Sequence, residues 1–139
     1  MTEQELVDPS TKLVLVVDDD EDVRSFLETI LEMDGYQVQT AADGKEALAK
    51  VQARPPDLVI TDLMMPEAGG WEVLRGLQAS ENARLPIIVN TARQLDASTE
   101  EMIRSEANVV DFLHKPISVA TLQGMLWRIL HTRPKTKKA

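Results

Sequence analysis

The sequence predicts an α/β protein: a doubly wound, five-stranded parallel sheet with five helices on its two faces. Short runs rich in Val, Ile and Leu alternate with stretches of helical periodicity, a pattern typical of βαβ units. The chain has 139 residues, of which 43% are hydrophobic and 27% charged, which indicates one globular domain with a genuine core. Right-handed crossovers between such strands place helices on both faces of the sheet.

The predicted strands are short and mostly apolar. The first is continuously apolar and too short for a helix, so we expect it to be buried. The second alternates polar and apolar residues, as an edge or half-covered strand does. The five predicted strands comprise residues 13–17, 36–40, 58–61, 87–90 and 109–113.

The predicted helices lie between these strands and after the last one. Apolar residues from Val23 to Leu31 recur at helical spacing, and Gly35 ends that helix. Asp43 is placed to cap the second helix, which the Pro55-Pro56 pair ends. The other three helices are expected at about residues 70–80, 97–106 and 118–131.

Composition and charge exclude several classes of protein. The chain has no cysteine, which rules out disulfide scaffolds, thiolate zinc sites and cysteine nucleophiles. Its net charge is −8, so direct nucleic-acid binding is not expected. No apolar run approaches the roughly 20 residues that span a bilayer, and the first residues lack a signal-peptide pattern. We therefore expect a cytoplasmic protein that binds no membrane.

Polar side chains follow four of the strands at their carboxyl ends, which meet at one edge of a parallel sheet. They are Asp18, Asp19 and Asp20 after strand one, Asp62 after strand three, Asn90 and Thr91 after strand four, and Lys115 after strand five. Carboxylates gathered in this way repel one another unless a cation is bound, and oxygen ligands suit Mg²⁺. Lys115 and the Thr91 hydroxyl are placed to contact an anion beside the metal. The group predicts a phosphoryl-transfer site in which Asp62 is the nucleophile.

Four segments carry a resemblance to a known family. They are VLVVDD at residues 14–19, PDLVITDLMMP at 56–66, PIIVNTA at 86–92 and DFLHKPI at 111–117. In this order, each at its own strand end, they resemble the receiver domains of response regulators in two-component signal transduction, over roughly residues 12–131. The resemblance implies a stand-alone receiver domain with a flavodoxin-like fold and strand order 2-1-3-4-5.

The resemblance also implies a Mg²⁺-dependent phosphoacceptor chemistry. Asp62 would accept a phosphoryl group from a phosphohistidine on a sensor histidine kinase or a histidine phosphotransfer protein. Asp19, Asp62 and the backbone carbonyl of Met64 would ligate the metal, with Asp18 acting largely through a metal-bound water. Thr91 and Lys115 would contact phosphoryl oxygens.

A switch is the further implication of the resemblance. Phe112 matches the aromatic residue that moves inward when Thr91 shifts toward the phosphoryl group. The signal would then reach the face formed by the fourth helix, the fifth strand and the fifth helix, about residues 97–131. That face would bind an unknown downstream protein or, after phosphorylation, a second copy of the chain. Such a protein assists its own phosphorylation and dephosphorylation but turns over no external substrate.

The sequence departs from the family's pattern at three places, none of which removes a catalytic group. Gly69-Gly70 stands where an acid before a glycine is usual, Glu106 stands where glycine is usual, and Phe112 lacks the hydroxyl of the commoner tyrosine. Residues 1–11 are expected to be a flexible segment and residues 132–139 a flexible basic tail. Since only this tail follows the fifth helix, we expect output through partner contact, phosphate relay or self-association.

Two other functions remain open at this point. The acidic run also resembles the DxDx(T/V) motif of haloacid-dehalogenase-type phosphatases, although Asp22 stands where Thr or Val is expected. The second is a degenerate receiver used only as a binding module, which the retention of all five site positions disfavours. A calcium-binding EF-hand loop is excluded because Val23 replaces the required glycine and Thr29 the required glutamate. Asp20, Glu21 and Asp22 are expected to be the solvated start of the first helix.

Overall fold

The computed structural model of the chain describes residues 6–62, 73, 75–77, 84–91, 97–106 and 108–133. Its strands are β1 (Leu13–Val17), β2 (Gln37–Ala41), β3 (Leu58–Thr61), β4 (Ile87–Thr91) and β5 (Val109–His114). They form one parallel sheet in the order β2-β1-β3-β4-β5. The fold class and the strand order expected from the sequence are confirmed.

Five helices connect or follow the strands. They are α1 (Glu21–Met33), α2 (Gly44–Ala53), α3 (described at residues 73 and 75–77), α4 (Ala97–Arg104) and α5 (Val119–Leu130). The predicted third helix, about 70–80, therefore lies largely outside the described residues. None of the helices in the described part of the chain is long and apolar enough to cross a membrane.

Local sequence signals set the ends of α1 and α2. The side chain of Asp20 caps α1 by accepting the backbone N–H of Asp22 at 2.9 Å. Asp43 caps α2 by accepting the N–H of Glu46 at 2.8 Å. Gly35 takes a φ of 96° after α1, a left-handed conformation in which glycine carries no Cβ penalty. These helix boundaries agree with the sequence prediction.

The core has two layers because successive strand residues point to opposite faces of the sheet. We call the layer under α1 and α5 the α1/α5 face and the opposite layer the α2/α4 face. The α1/α5 face is built from Val14, Val16, Leu58, Ile60, Ile88 and Leu113 of the strands, with Leu27, Ile30, Leu31, Leu122, Met125, Leu126 and Leu130 of the helices. The α2/α4 face is built from Leu15, Val17, Val59, Ile87, Val89 and Phe112 of the strands, with Ala47, Val51, Val73, Leu77 and Ile103 of the helices.

The two ends of the described chain are tied together, and we call this contact the terminal clasp. Val7 and Thr132 form a parallel bridge, in which the Val7 N–H donates to the His131 carbonyl at 2.9 Å and the Arg133 N–H donates to the Val7 carbonyl at 3.1 Å. The hydroxyls of Thr132 and Tyr36 are 2.5 Å apart in the interior. The sequence predicts flexible segments at both ends. In the structure, hydrogen bonds hold the described parts of both segments to the domain.

Candidate functional site

Three aspartates lie together at the carboxyl edge of the sheet. Asp18 and Asp19 follow β1, and the Asp62 N–H donates to the Val17 carbonyl at 3.0 Å, which extends the pairing of β3 with β1 up to Asp62. Each aspartate offers one carboxylate oxygen, and these oxygens lie within 4.8 Å of one another. Asp18 and Asp62 are 1% and 6% exposed, whereas Asp19 is exposed. The group forms an acidic pocket with two buried members and one that faces solvent.

Lys115 supplies the positive charge of this pocket. Its Nζ donates to Oδ2 of Asp18 at 3.0 Å and to Oδ2 of Asp62 at 3.1 Å. The Lys115 N–H donates to the Thr91 carbonyl at 3.0 Å, which holds the loop after β5 against the end of β4. Burial by itself would lower the pKa of Lys115, but the hydrogen bonds and the negative charges of the two aspartates outweigh burial and raise the pKa. The ammonium group therefore stays charged and offsets the repulsion between the buried carboxylates.

Asp18 is held in place from three directions. Its Oδ1 accepts the Asp20 N–H at 2.9 Å, and its Oδ2 accepts the Lys115 ammonium. Its backbone carbonyl accepts Nη1 of Arg24 at 2.6 Å, which ties the start of α1 to the end of β1. Arg24 is not among the site residues predicted from the sequence. No local sequence pattern indicates that the side chain of an arginine in a helix will bond the carbonyl of a residue six positions earlier.

The donor set fits a hard divalent cation. Mg²⁺ prefers oxygen ligands at about 2.0–2.1 Å, which places neighbouring ligands roughly 3–4 Å apart. One carboxylate oxygen from each of Asp18, Asp19 and Asp62 lies within 4.8 Å of the other two, so the three residues could surround one such ion. Met64, expected to contribute its carbonyl, lies outside the described residues, as does the Gly69-Gly70 pair.

Thr91 and Phe112, the expected switch residues, are both buried on the α2/α4 side of the sheet. Thr91 ends β4 two residues after Val89, so the strand alternation places both on the same face. Phe112 is covered by α4, where the guanidinium carbon of Arg104 lies 4.4 Å from the ring centroid. Arg104 also pairs with Glu100 one turn earlier at 3.0 Å. This cation–π contact was not expected from the sequence, since it depends on how α4 packs on β5.

Glu106, which replaces the usual glycine, is accommodated without left-handed backbone. It is not among the residues with positive φ, and its N–H donates to the Ile103 carbonyl at 3.0 Å. Its carboxylate accepts Nη2 of Arg75 at 2.9 Å. The turn into β5 therefore needs no glycine in this chain.

Comparison with known proteins identifies the family. Residues 14–126 match the response regulator receiver domain. The chain belongs to this family. Response regulator MprA of Mycolicibacterium vanbaalenii is 40% identical over 117 residues, which are 84% of this chain and 49% of that protein. The alkaline phosphatase synthesis transcriptional regulatory protein PhoP of Bacillus subtilis is 36% identical over 86% of this chain and 48% of that protein. The receiver chain thus spans about half the length of the curated relatives it matches.

Solved structures of related proteins share this fold over most of the chain. The chemotaxis protein CheY4 of Vibrio cholerae has a TM-score of 0.75 at 34% identity, covering 85% of this chain and 98% of that chain. The receiver domain of the sensor histidine kinase PA1611 of Pseudomonas aeruginosa has a TM-score of 0.77 at 31% identity, covering 87% and 98%. In that structure a magnesium ion is coordinated in the active-site cleft.

Proposed function

We propose that this receiver is a phosphorylation-switched signalling protein in which Asp62 accepts a phosphoryl group in a Mg²⁺-dependent reaction. The observation that carries the proposal is the pair of hydrogen bonds from Lys115 to Asp18 and Asp62, with Asp19 beside them. Transfer of a phosphoryl group depends mainly on positioning and on neutralising charge. Lys115 positions Asp62 through a hydrogen bond and contributes positive charge. A cation held by the three carboxylates would neutralise further charge.

The donor is a phosphohistidine on a sensor histidine kinase or a histidine phosphotransfer protein. A carboxylate oxygen of Asp62 forms the new O–P bond while the P–N bond to the donor histidine breaks, and the departing imidazole takes the electron pair and then a proton. Lys115 and the Thr91 hydroxyl contact the phosphoryl oxygens after transfer. Hydrolysis of the acyl phosphate by water resets Asp62, so no external substrate is turned over.

The proposed metal ligands are Asp19, Asp62 and the Met64 carbonyl, with Asp18 acting through a metal-bound water. Both carboxylate oxygens of Asp18 already accept a hydrogen bond, which favours a contact with the metal through water over direct ligation. The magnesium ion in the PA1611 receiver supports the choice of metal. When bound, Mg²⁺ would neutralise the charge that develops on the transferring group.

Output is proposed to leave through α4, β5 and α5, about residues 97–131. Phe112 is buried in β5 and contacts Arg104 of α4, which supports a role for the expected switch aromatic in carrying the signal to this face. Met102 and Val110 are 54% and 44% exposed there, which suits contact with a downstream protein or a second phosphorylated copy. We also propose a cytoplasmic location and a receiver domain that extends from residue 12 to residue 131. The match of residues 14–126 to the receiver domain favours this function over the haloacid-dehalogenase-type phosphatase.

Intact-mass measurement tests the central step. Incubation with Mg²⁺ and a small acyl-phosphate donor should add one phosphoryl group to the wild-type chain, and Asp62→Asn should add none. Asp57→Asn is the matched control. Asp57 lies directly before the first residue of β3, at the opposite edge of the sheet from Asp62, and its carboxylate accepts the Leu13 N–H at 2.8 Å. This variant should be phosphorylated as much as wild type. Equal modification of Asp62→Asn and wild type would rule out Asp62 as the acceptor.

A further inference from the structure

Asn90 is a polar side chain in the buried part of an apolar strand. It follows Ile87, Ile88 and Val89 in β4 and is 1% exposed. Neither its Nδ2 nor its Oδ1 has a hydrogen-bond partner among the described residues. A carboxamide has two donor hydrogens and an acceptor oxygen, and buried groups of this kind are almost always bonded to protein or to ordered water. The position of the side chain indicates what that partner is.

The strand alternation places Asn90 on the same face as the phosphoacceptor. Asn90 lies two residues after Ile88, which belongs to the α1/α5 face. Asp62 lies two residues after Ile60, which belongs to the same face. Thr61 pairs with Val89 in the β3–β4 register, so Asp62 and Asn90 are the next neighbours across the two strands. Adjacent strands are about 4.8 Å apart, which brings the two side chains close together.

The other neighbours of Asn90 along the sheet are apolar. On the β5 side Asn90 is paired with Leu113, and toward the amino end of β4 the same face continues with Ile88. Among the described residues, the polar groups at this edge of the face are Asp18, Asp62 and Lys115, of which Asp62 follows the strand next to Asn90. Lys115 lies two residues after Leu113 and bonds both aspartates. Asn90 makes no direct hydrogen bond to any of these three groups. One water molecule with hydrogen bonds of about 2.8–2.9 Å to each side would connect polar groups that are close together but do not bond directly.

We propose that Asn90 is a positioning residue of the phosphoacceptor site, whose carboxamide binds a water molecule that in turn donates a hydrogen bond to the Asp62 carboxylate. Lys115 holds one oxygen of that carboxylate at 3.1 Å, and a second hydrogen bond limits its rotation. A nucleophile held in this way reaches the donor phosphorus in the reactive orientation more often. This inference rests on the proposed function, because it concerns the rate at which Asp62 is phosphorylated.

An isosteric pair of variants tests the proposal. Threonine and valine have nearly the same shape. Asn90→Thr has a hydroxyl that can bind the water, whereas Asn90→Val has no polar group in its side chain. Phosphorylation by an acyl-phosphate donor with Mg²⁺ is followed by intact mass at several donor concentrations. The limiting rate of Asn90→Val should fall about tenfold, the range expected for losing a hydrogen bond that orients a charged group, with little change in the half-saturating donor concentration. Asn90→Thr should stay within about twofold of wild type.

The controls separate positioning from stability. Ile88→Val removes one methylene from the same strand and face and should leave the phosphorylation rate unchanged. Asn90→Val should be at least as stable to urea as wild type, because it removes a buried polar group that has no protein partner. If Asn90→Val does not fold, the pair Asn90→Ser and Asn90→Ala gives the same comparison in a smaller side chain.

The outcomes also separate this inference from the proposed function. Equal rates for Val, Thr and wild type, or equal losses in both variants, would overturn the role of Asn90. Failure of the wild-type chain to be phosphorylated at all would instead overturn the proposed function. The carboxamide resonance of Asn90 gives a direct signature, since on addition of Mg²⁺ alone its ¹⁵N and proton shifts should change in wild type but not in Asp62→Asn.

Discussion

At the scale of single residues, Lys115 determines how two buried carboxylates coexist beside an exposed one. A buried acid without a partner is costly, and Asp18 and Asp62 share one ammonium group. The arrangement still carries an excess of negative charge, because Asp19 adds a third carboxylate. That excess of negative charge favours a divalent cation. Asp19 is the proposed ligand whose replacement should disturb the buried pair least, because its side chain is exposed.

Mg²⁺ is expected to raise the unfolding temperature of the wild-type chain, because an ion that binds only the folded state stabilises it by mass action. At about ten times the dissociation constant the gain is roughly 1.4 kcal/mol, or a few degrees. Asp19→Asn should remove most of this shift. Asp20→Asn changes the charge equally and keeps a good N-cap, so it should retain the shift. Scanning fluorimetry measures all three proteins, and equal shifts would exclude Asp19 as a ligand.

At the scale of elements, side chains next to each helix in sequence fix where α1 and α2 begin. In α2 the exchange is reciprocal: Asp43 accepts the Glu46 N–H, and Glu46 Oε1 accepts the Ala42 N–H at 2.9 Å. Glu46 also pairs with Lys50 one turn later at 3.1 Å. The Ala42 hydrogen bond, followed by the contacts with Lys50, outweighs burial and lowers the pKa of Glu46 below its ordinary 4.5.

The lowered pKa gives α2 a pH-dependent contribution to stability. A carboxylate whose pKa is depressed by folding stabilises the fold above its unfolded pKa, and the contribution is lost as pH falls below about 4.5. Since the side chain is 43% exposed, Glu46→Gln should cost only about 0.5 kcal/mol at neutral pH. Urea unfolding of wild type and Glu46→Gln should therefore converge toward pH 3. A stability difference between the two proteins that stays the same from pH 7 to pH 3 would contradict this role of Glu46.

At the scale of the whole molecule, the terminal clasp connects the first and last described residues at the amino-end edge of the sheet, opposite the aspartates. Gln37, which starts β2, donates its side-chain amide to the Ser10 carbonyl at 2.7 Å, and Arg133 pairs with Asp8 at 3.3 Å. Thr132 is the buried part of the clasp, through its hydroxyl contact with Tyr36. The clasp is therefore placed to affect global stability without touching the phosphoacceptor site.

Tyr36 reports on the clasp directly, because it is the only tyrosine of the chain. Burial raises its pKa above the ordinary 10.0, assisted by the charge of Asp34 and opposed by the Thr132 hydrogen bond. The ultraviolet titration of tyrosinate should thus have a higher midpoint in the folded chain than in urea. Because folding favours the neutral phenol, the contribution of Tyr36 to the free energy of unfolding should be constant below pH 10 and fall above it.

The variant Tyr36→Phe isolates this effect. It should remove the tyrosinate signal and the part of the alkaline loss of stability that comes from Tyr36, while costing about 1 kcal/mol at neutral pH through the lost hydrogen bond. Phosphorylation of Asp62 should be unchanged. A titration midpoint equal in folded and unfolded chains would contradict the burial of Tyr36.

Local sequence patterns were enough to predict the strands and helices and to assign the site residues to one edge of the sheet. Apolar runs, helical spacing and caps such as Asp43 act over a few residues, so they can be read without tertiary structure. A parallel sheet brings the carboxyl ends of its strands together, so Asp18, Asp62 and Lys115 could be assigned to one site from their positions alone.

The contacts between atoms of that site depend on the tertiary structure. The hydrogen bonds of Lys115 to Asp18 and Asp62, the contact of Arg104 with Phe112 and the terminal clasp join residues that are not neighbours in sequence. The same packing leaves the carboxamide of Asn90 without a hydrogen-bond partner among the described residues. Their distances follow from strand register and from how helices pack on the sheet, and no local pattern encodes either. For the same reason, the sequence assigned Asn90 to this edge but could not show that its carboxamide lacks a hydrogen-bond partner among the described residues.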